Sequence, residues 1–399
     1  MAIKTLVILG DGMGDFPCEA LDGKTPLQAA AMPTTRKLAA AGKVVMIRTA
    51  PEGIYPGSDV CNLGLLGYHP GENYTGRAPI EAAGGHIPMA PNQVAFRCNL
   101  VTVQNDTMLD HSSGHISDAE AAELITAVKD ELGGNGKVFH QGVSYRHILL
   151  WDDGPADAIT QAPHEILDKS TDGYLPHGSG GEAVAELMEA SRAIFADHPV
   201  NKARIATGKN PATQIWLWGQ GKALTLEPYA TRYGRSGGIV TAVDLVRGLG
   251  VLTGLDVPRV EGATGFTDTN YAGKVEATLA LLEDGDFAYC HIEAPDECGH
   301  LGDPIQKRDA ISDLDLKVVT PLLAGLEAKG EPYRLIITMD HRTPCILRGH
   351  SPDPVPAIII EGPVGPLGDD APQADFDEFV NGGEAQENSW EWMDGLLGE

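Results

Sequence analysis

The apolar residues of this chain come in short runs, and that pattern limits the fold more than any other feature. Runs at 5–9, 43–48, 215–218, 287–292, 334–339 and 355–360 have strand length and read as buried strands. Between several of them, over 237–252, 273–282 and 307–326, apolar positions recur at helical spacing. Ser117 with Glu120 forms a capping-box signature ahead of a helix over 119–132. Strand and helix in alternation predict an α/β fold, a mainly parallel sheet with helices on both faces.

The middle of the chain follows a different rhythm. After a Gly/Pro-rich passage a strand pattern restarts at 97–103 and continues at 145–151, before a helical pattern over 182–195. These signals predict a smaller inserted α/β domain over 93–211, with 1–92 and 212–399 sharing the main sheet. Two domains also suit a chain of 399 residues. The tail beyond Gly362, rich in Asp, Pro, Gly and Glu, reads as partly exposed or loosely packed.

Charge and cysteine usage narrow the function. With 56 acidic against 29 basic side chains the net charge is −27, which repels nucleic acid and anionic membrane surfaces. A site for a small anion must therefore be built locally, from metal ions and clustered arginines. No apolar stretch approaches the roughly 20 residues of a spanning helix, and the start lacks a signal-peptide pattern. The six cysteines are scattered without a CxxC pair, so neither a disulfide framework nor a zinc ribbon is indicated. A cytoplasmic protein is the expectation.

Chemistry-bearing residues gather at predicted strand ends. The first run leads into Gly10-Asp11-Gly12, a carboxylate at the carboxyl end of a strand, where open α/β sheets bind ligands. Taken alone, Asp-Gly is equally ordinary turn chemistry. A second run leads into Asp340-His341, with His350 nine residues beyond His341, and a third is followed by Asp296 and, four residues on, His300. One helical turn sets that last pair on one face. Mixed Asp and His donors suit Mn2+, Mg2+ or Zn2+ better than Ca2+. A single Asp/His pair is usually a surface hydrogen bond; repetition at strand ends argues for metal.

Ser58 stands in Pro56-Gly57-Ser58-Asp59, at an apparent helix start. A helix N-terminus favours an anion, and a metal-activated hydroxyl there is a candidate nucleophile for a phosphoryl group. The plain alternative is that Ser58 only caps the helix.

Several strings carry a wider likeness. They include Gly10-Asp11-Gly12, Gly57-Ser58-Asp59 with Asn62-Leu63-Gly64, Tyr74-Thr75-Gly76-Arg77-Ala78-Pro79 and Arg97-Cys98-Asn99. Later come Trp216-Leu217-Trp218-Gly219-Gln220-Gly221, Gly262-Ala263-Thr264-Gly265, Asp268-Thr269-Asn270-Tyr271, Glu293-Ala294-Pro295-Asp296-Glu297 and Asp353-Pro354-Val355-Pro356. In these the chain resembles the archaeal-type cofactor-independent phosphoglycerate mutases of the alkaline phosphatase superfamily, over nearly everything before the tail. The resemblance implies an alkaline-phosphatase-like sheet with a cap domain. It implies two divalent metal ions, Mn2+ foremost, with Asp11, Ser58, Asp340 and His341 on one and Asp296, His300 and His350 on the other. It also implies a phosphoserine at Ser58, which takes the phosphoryl group from one hydroxyl of phosphoglycerate and returns it to the other, a step of glycolysis and gluconeogenesis.

Substrate contacts are expected from positive side chains. In the inserted domain the candidates are Arg97, Arg146, Arg204 and Lys209; Arg77, Arg232, Arg235 and Lys274 are expected on the metal-bearing domain. One segment departs from the family pattern. Where the mutases carry an arginine-rich stretch, this chain has Asp110-His111-Ser112-Ser113-Gly114-His115-Ile116-Ser117. His111 and His115 would then stand in for arginines, although histidine offers one nitrogen per contact and is largely neutral at pH 7. This variant is similar to a branch of the family proposed to act as homoserine kinases, so a kinase remains an alternative, as does a metal-dependent phosphatase or phosphonate hydrolase.

Overall fold

The computed structural model describes residues 3–398. Fourteen strands follow in chain order: β1 Lys4–Gly10, β2 Lys43–Arg48, β3 Gln93–Gln104, β4 Thr107–Asp110, β5 Lys137–His140, β6 Arg146–Asp152, β7 Ala158–Ile159, β8 His177–Gly178, β9 Gln214–Lys222, β10 Gly237–Val240, β11 Phe287–Ile292, β12 Tyr333–Thr338, β13 Val355–Gly362 and β14 Glu387–Asn388. Contacts divide the described chain into two units, 3–74 with 226–398, and 75–225.

The first unit is built on one sheet of order β10-β11-β1-β12-β13-β2-β14. β10, β11, β1 and β12 run parallel, and only β13 is antiparallel to both its neighbours. Leu6, Val7, Ile8 and Leu9 of β1 are fully buried, so successive side chains on both faces are covered, as a parallel sheet layered by helices requires. Each such side chain contributes roughly 1.5–3 kcal/mol by leaving water. The register decides what happens at the carboxyl edge. Gly10 pairs with Ile292 and Leu9 with Thr338, so residues just after these strands, Asp11, Glu293 and Asp340, emerge side by side.

Three details differ from the reading of the sequence. Residues 237–240 form strand β10 rather than the first turn of a helix, which begins only at Asp244; an apolar run this short carries no period to separate the two. The helical stretch expected over 307–326 is observed as Pro304–Leu314 and Thr320–Lys329, joined by a π-helical turn, Asp315–Val319. The tail is largely exposed over 363–388, as expected, but its end is anchored. Helix Ser389–Leu397 buries Trp390, Met393 and Leu397 and packs against helix Ser58–Leu65, while β14 pairs with β2. Its sparse apolar residues fall on one helical face, which a composition count cannot register.

The second unit has its own antiparallel sheet, β4-β3-β6-β5 with β9 also paired to β3. Along β3, Phe96, Cys98 and Leu100 enter a core shared with Leu124, Val128 and Val184, from helices Asp118–Leu132 and Gly181–Ala196. The capping box of Ser117 and Glu120 is formed in both directions. The strand pattern suggested bounds of 93 and 211 for this region; contacts carry the unit to 75 and 225, because helix Arg77–Gly84 packs on β3 and β9. Arg77 accordingly belongs to this unit rather than to the metal-bearing one. Among the described residues no helix is long and apolar enough to cross a membrane.

Candidate active site

Ser58 is the first residue of helix Ser58–Leu65, and Gly57 occupies the N-cap position in extended conformation. Ser58 is therefore not the cap. Its Oγ lies 3.1 Å from Nε2 of His341. One turn on, Asn62 donates from Nδ2 to the Ser58 carbonyl at 2.9 Å and to Asp340 Oδ2 at 3.0 Å, while its Oδ1 accepts from the Tyr289 hydroxyl at 2.7 Å. The serine helix is thus tied to the end of β12.

Donor atoms converge on two points. Around His341 Nε2 lie Ser58 Oγ, Asp340 Oδ2 at 3.3 Å and Asp11 Oδ1 at 3.5 Å. Around Asp296 lie His300 Nε2, 3.2 Å from Oδ2, and His350 Nε2, 3.6 Å from Oδ1; the two Nε2 atoms are 3.2 Å apart. The rings of His341 and His350 stack with centroids 3.7 Å apart, bringing the halves together. Asp11, Asp340 and His341 form one set of ligand atoms within reach of a single ion, and Asp296, His341 and His350 another. The helix Ala294–Leu301 supplies the four-residue spacing of Asp296 and His300. All seven side chains expected from the sequence are in this cluster.

The electrostatics fit a cation. Burial, with Asp340, Asp296 and Glu293 nearby, holds the Asp11 carboxyl well above its usual range, and burial with Asp296 pushes Asp340 up to about 6. Burial alone would raise Asp296 too, but His300, His350 and His341 around it pull it well below that range. Burial pushes His341 down to about 4 and His350, beside His341, down to about 3, so both offer neutral nitrogen. Against its own burial His300 rises to about 9 through Asp296. Asp11 Oδ1 is buried with no hydrogen-bond partner. Buried carboxylates crowded against imidazole lone pairs are the donor set that a divalent ion satisfies.

Three residues that the sequence left unassigned complete the arrangement. His291, inside the apolar run of β11, shares a hydrogen bond of 2.9 Å between its Nε2 and Asp11 Oδ2. Burial pushes it down to about 3, so it is neutral and orients the carboxylate without sharing its charge. Lys307, fully buried, donates to Asp15 Oδ2 at 3.0 Å and to the Gly14 and Thr343 carbonyls at 2.7 Å each, pinning the loop after Asp11 to the loop after His341. Thr343 contacts His341 Nδ1 and Asp296 Oδ1. A signal existed for Lys307, which shares the apolar face of its helix with Ala310, Ile311 and Leu314.

The expected substrate contacts separate into two groups. Arg77, Arg97, Arg146, His111 and His115 come together in the second unit. Arg77 Nε is 2.7 Å from Glu81 Oε1, Arg97 bonds the same oxygen, and all three arginines pull Glu81 below its usual range against its burial. Trp218 lies under the guanidinium groups of Arg97 and Arg77, at 5.0 and 5.6 Å, and Tyr145 under Arg146 at 5.4 Å. His111 and His115 stand edge-on to Tyr145, on a loop organised by Asp110, which accepts from the N–H groups of Ser112 and Gly114. Glu81 thus sits among three guanidinium groups, and Glu165 also feels the charge of Arg77.

Arg235 and Lys274 do not join a substrate surface. Arg235 is buried at the amino end of β1, bonding the carbonyls of Leu397 and Ile3, and six residues of strand, ~20 Å, separate Thr5 from Asp11. Lys274 is fully buried and donates to the His291 carbonyl at 3.2 Å, behind the site. Arg204 is likewise committed, to Glu120 and to the carbonyls of Ser113 and Asn210. Arg232 bonds Asp394 and the Gly67 carbonyl. A charge count along the chain cannot distinguish such internal cations from ligand-facing ones.

Sheet and cluster define an α/β protein in which a serine, three aspartates and three histidines gather at the carboxyl edge of parallel strands. Residues 39–201 match the model of a family described as 2,3-bisphosphoglycerate-independent phosphoglycerate mutase. A probable mutase of that kind from Geobacter sulfurreducens is 46% identical over 364 residues, 90% of this chain and 91% of that protein. The 2,3-bisphosphoglycerate-independent phosphoglycerate mutase of Methanothrix thermoacetophila is 47% identical over 357 residues, 90% of each. The chain belongs to the 2,3-bisphosphoglycerate-independent phosphoglycerate mutase family. Its fold is shared by the PH0037 protein from Pyrococcus horikoshii, at a TM-score of 0.79 with 27% identity over 100% of this chain and 98% of that one.

Proposed function

We propose that this protein interconverts 3-phosphoglycerate and 2-phosphoglycerate through a phosphoserine on Ser58, with two divalent cations, Mn2+ foremost. The observation that carries the reading is the convergence of Ser58 Oγ, Asp340 Oδ2 and Asp11 Oδ1 on His341 Nε2, beside a second Asp/His set, in a chain of this family. Asp11, Ser58, Asp340 and His341 would hold one cation and Asp296, His300 and His350 the other. When bound, the pair lowers the pKa of the serine hydroxyl and neutralises charge on the phosphoryl oxygens.

The residues of the chain do the rest. Ser58 Oγ forms a bond to phosphorus as the bond from phosphorus to the substrate's C3 oxygen breaks; the serine proton is given up and the glycerate oxygen gains one. The first turn of helix Ser58–Leu65 favours the negative charge carried by phosphoserine. Return of the group to the C2 oxygen regenerates Ser58. Arg77, Arg97 and Arg146, with His111 and His115, recognise the anionic substrate.

The test is a coupled assay. Purified protein loaded with Mn2+ is given 3-phosphoglycerate, and 2-phosphoglycerate is followed through enolase. Absence of turnover rejects the mutase; formation of ADP and phosphohomoserine from ATP and homoserine would replace it with the kinase, and steady release of phosphate with a phosphatase.

A further inference from the structure

We propose that Thr343 is a positioning residue that sets both halves of the site at once, its hydroxyl accepting the Nδ1 proton of His341 and giving its own proton to Asp296. Proton counting fixes these roles. A threonine hydroxyl has a single proton and two lone pairs, and an ionised carboxylate only accepts. The contact between Thr343 Oγ1 and Asp296 Oδ1 therefore uses that proton. His341 Nδ1, 3.1 Å from the same oxygen, then meets a lone pair and must itself carry a proton. The neutral ring has only one, so Nε2 is left with its lone pair, directed at Asp11 Oδ1, Asp340 Oδ2 and Ser58 Oγ.

The hydroxyl is held where this choice is forced. The Thr343 amide donates to the Gly14 carbonyl at 3.0 Å, and its carbonyl accepts from Lys307 Nζ at 2.7 Å. Thr343 is fully buried, and neighbouring glycines make room for it. A Cβ on Gly12 would come within 2.5 Å of Thr343 Oγ1, and one on Gly299 within 2.9 Å of Thr343 Cγ2. Without the hydroxyl, Asp296 loses a donor and His341 loses the partner that selects its tautomer. Groups that orient a ligating histidine are typically worth roughly 10–100-fold in metal affinity.

The binding arm of the test rests on the two-cation reading; the tautomer arm does not. In metal-free protein labelled with 15N-histidine, the His341 ring is expected as the Nδ1–H tautomer in wild type and in Thr343→Ser, and as Nε2–H or a mixture in Thr343→Val. In titrations with Mn2+ followed by calorimetry, Thr343→Val is expected to weaken binding roughly 10–100-fold, with Thr343→Ser close to wild type. An Nε2–H tautomer in the wild-type protein overturns the proposal whether or not the valine variant folds. So does a folded Thr343→Val that keeps the wild-type tautomer and binds Mn2+ as tightly as wild type. Wild-type protein that binds no Mn2+ removes the two-cation reading instead, and the tautomer then decides the role of Thr343.

Discussion

The Oγ of Ser58 and the Nε2 of His341 stand 3.1 Å apart although 283 residues separate them in the chain. The contact joins the start of a helix to the end of a central strand, and Asn62 bridges the same two elements through Asp340. The geometry is therefore a property of the packed sheet edge, and variants within it have separable consequences.

Ser58→Ala removes the proposed phosphoryl acceptor but no carboxylate or imidazole. Mutase turnover should fall by at least about 10³-fold, the scale of losing a covalent nucleophile, while calorimetry still detects Mn2+ binding. Full activity in this variant takes Ser58 out of the mechanism.

Chelation should abolish activity, and Mn2+ should restore it. Ions bound only by the folded state also stabilise it, by about 2.7 kcal/mol at a free concentration 100 times Kd. The thermal midpoint should rise as Mn2+ is added to chelator-treated protein. A midpoint indifferent to the ion contradicts the assignment of Asp11, Asp340 and Asp296 as ligands.

Arg146→Met removes an exposed guanidinium from the cluster around Glu81 without emptying the core. Loss of a charged hydrogen bond to the substrate costs roughly 1.5–3 kcal/mol. KM for 3-phosphoglycerate should rise correspondingly, about tenfold or more, with Mn2+ affinity unchanged; an unaltered KM excludes Arg146 from recognition.

Lys307 and Asp15 form a fully desolvated ion pair. Lys307→Met leaves a buried carboxylate uncompensated and should cost about 3–5 kcal/mol. Adding Asp15→Asn should recover part of that loss. Thermal unfolding of the single and double variants measures both, and an additive double variant argues against the coupling.

Glu378 carries the expected pH dependence of stability. Burial pushes its carboxyl up from 4.5 to about 7, where Oε1 accepts from the Asp15 amide and Oε2 from the Thr25 hydroxyl. The folded state holds this proton more tightly than the unfolded state. Its contribution is therefore fully present below about pH 4.5 and is lost as pH rises to about 7. Glu378→Gln cannot titrate, so its thermal midpoint should fall less than that of wild type across this window; parallel profiles assign the loss to other groups.

The site was readable wherever a polar residue ends an apolar run. Asp11 and Asp340 follow strands, Asp296 and His300 have the spacing of one helical turn, and Ser58 follows a glycine at a helix start. Such signals are local, because strand length and helical period are local consequences of burial. His291 was missed because a histidine within an apolar run looks like a core residue, and only its register opposite Leu9 brings it to Asp11. Arg235 and Lys274 misled for the converse reason: their positive charge is used inside the protein, on backbone carbonyls.

Short apolar runs specified an α/β architecture, and the residues at their ends, together with the family resemblance, singled out the serine, the aspartates and the histidines as candidates. Which of these atoms meet is a different matter. It depends on the parallel register that aligns Leu9 with Thr338 and Gly10 with Ile292, and on buried donors such as Lys307 and Thr343 that fix the loops beyond those strands. Distance in space between residues far apart in the chain is set by packing, and periodicity along the chain carries no record of it.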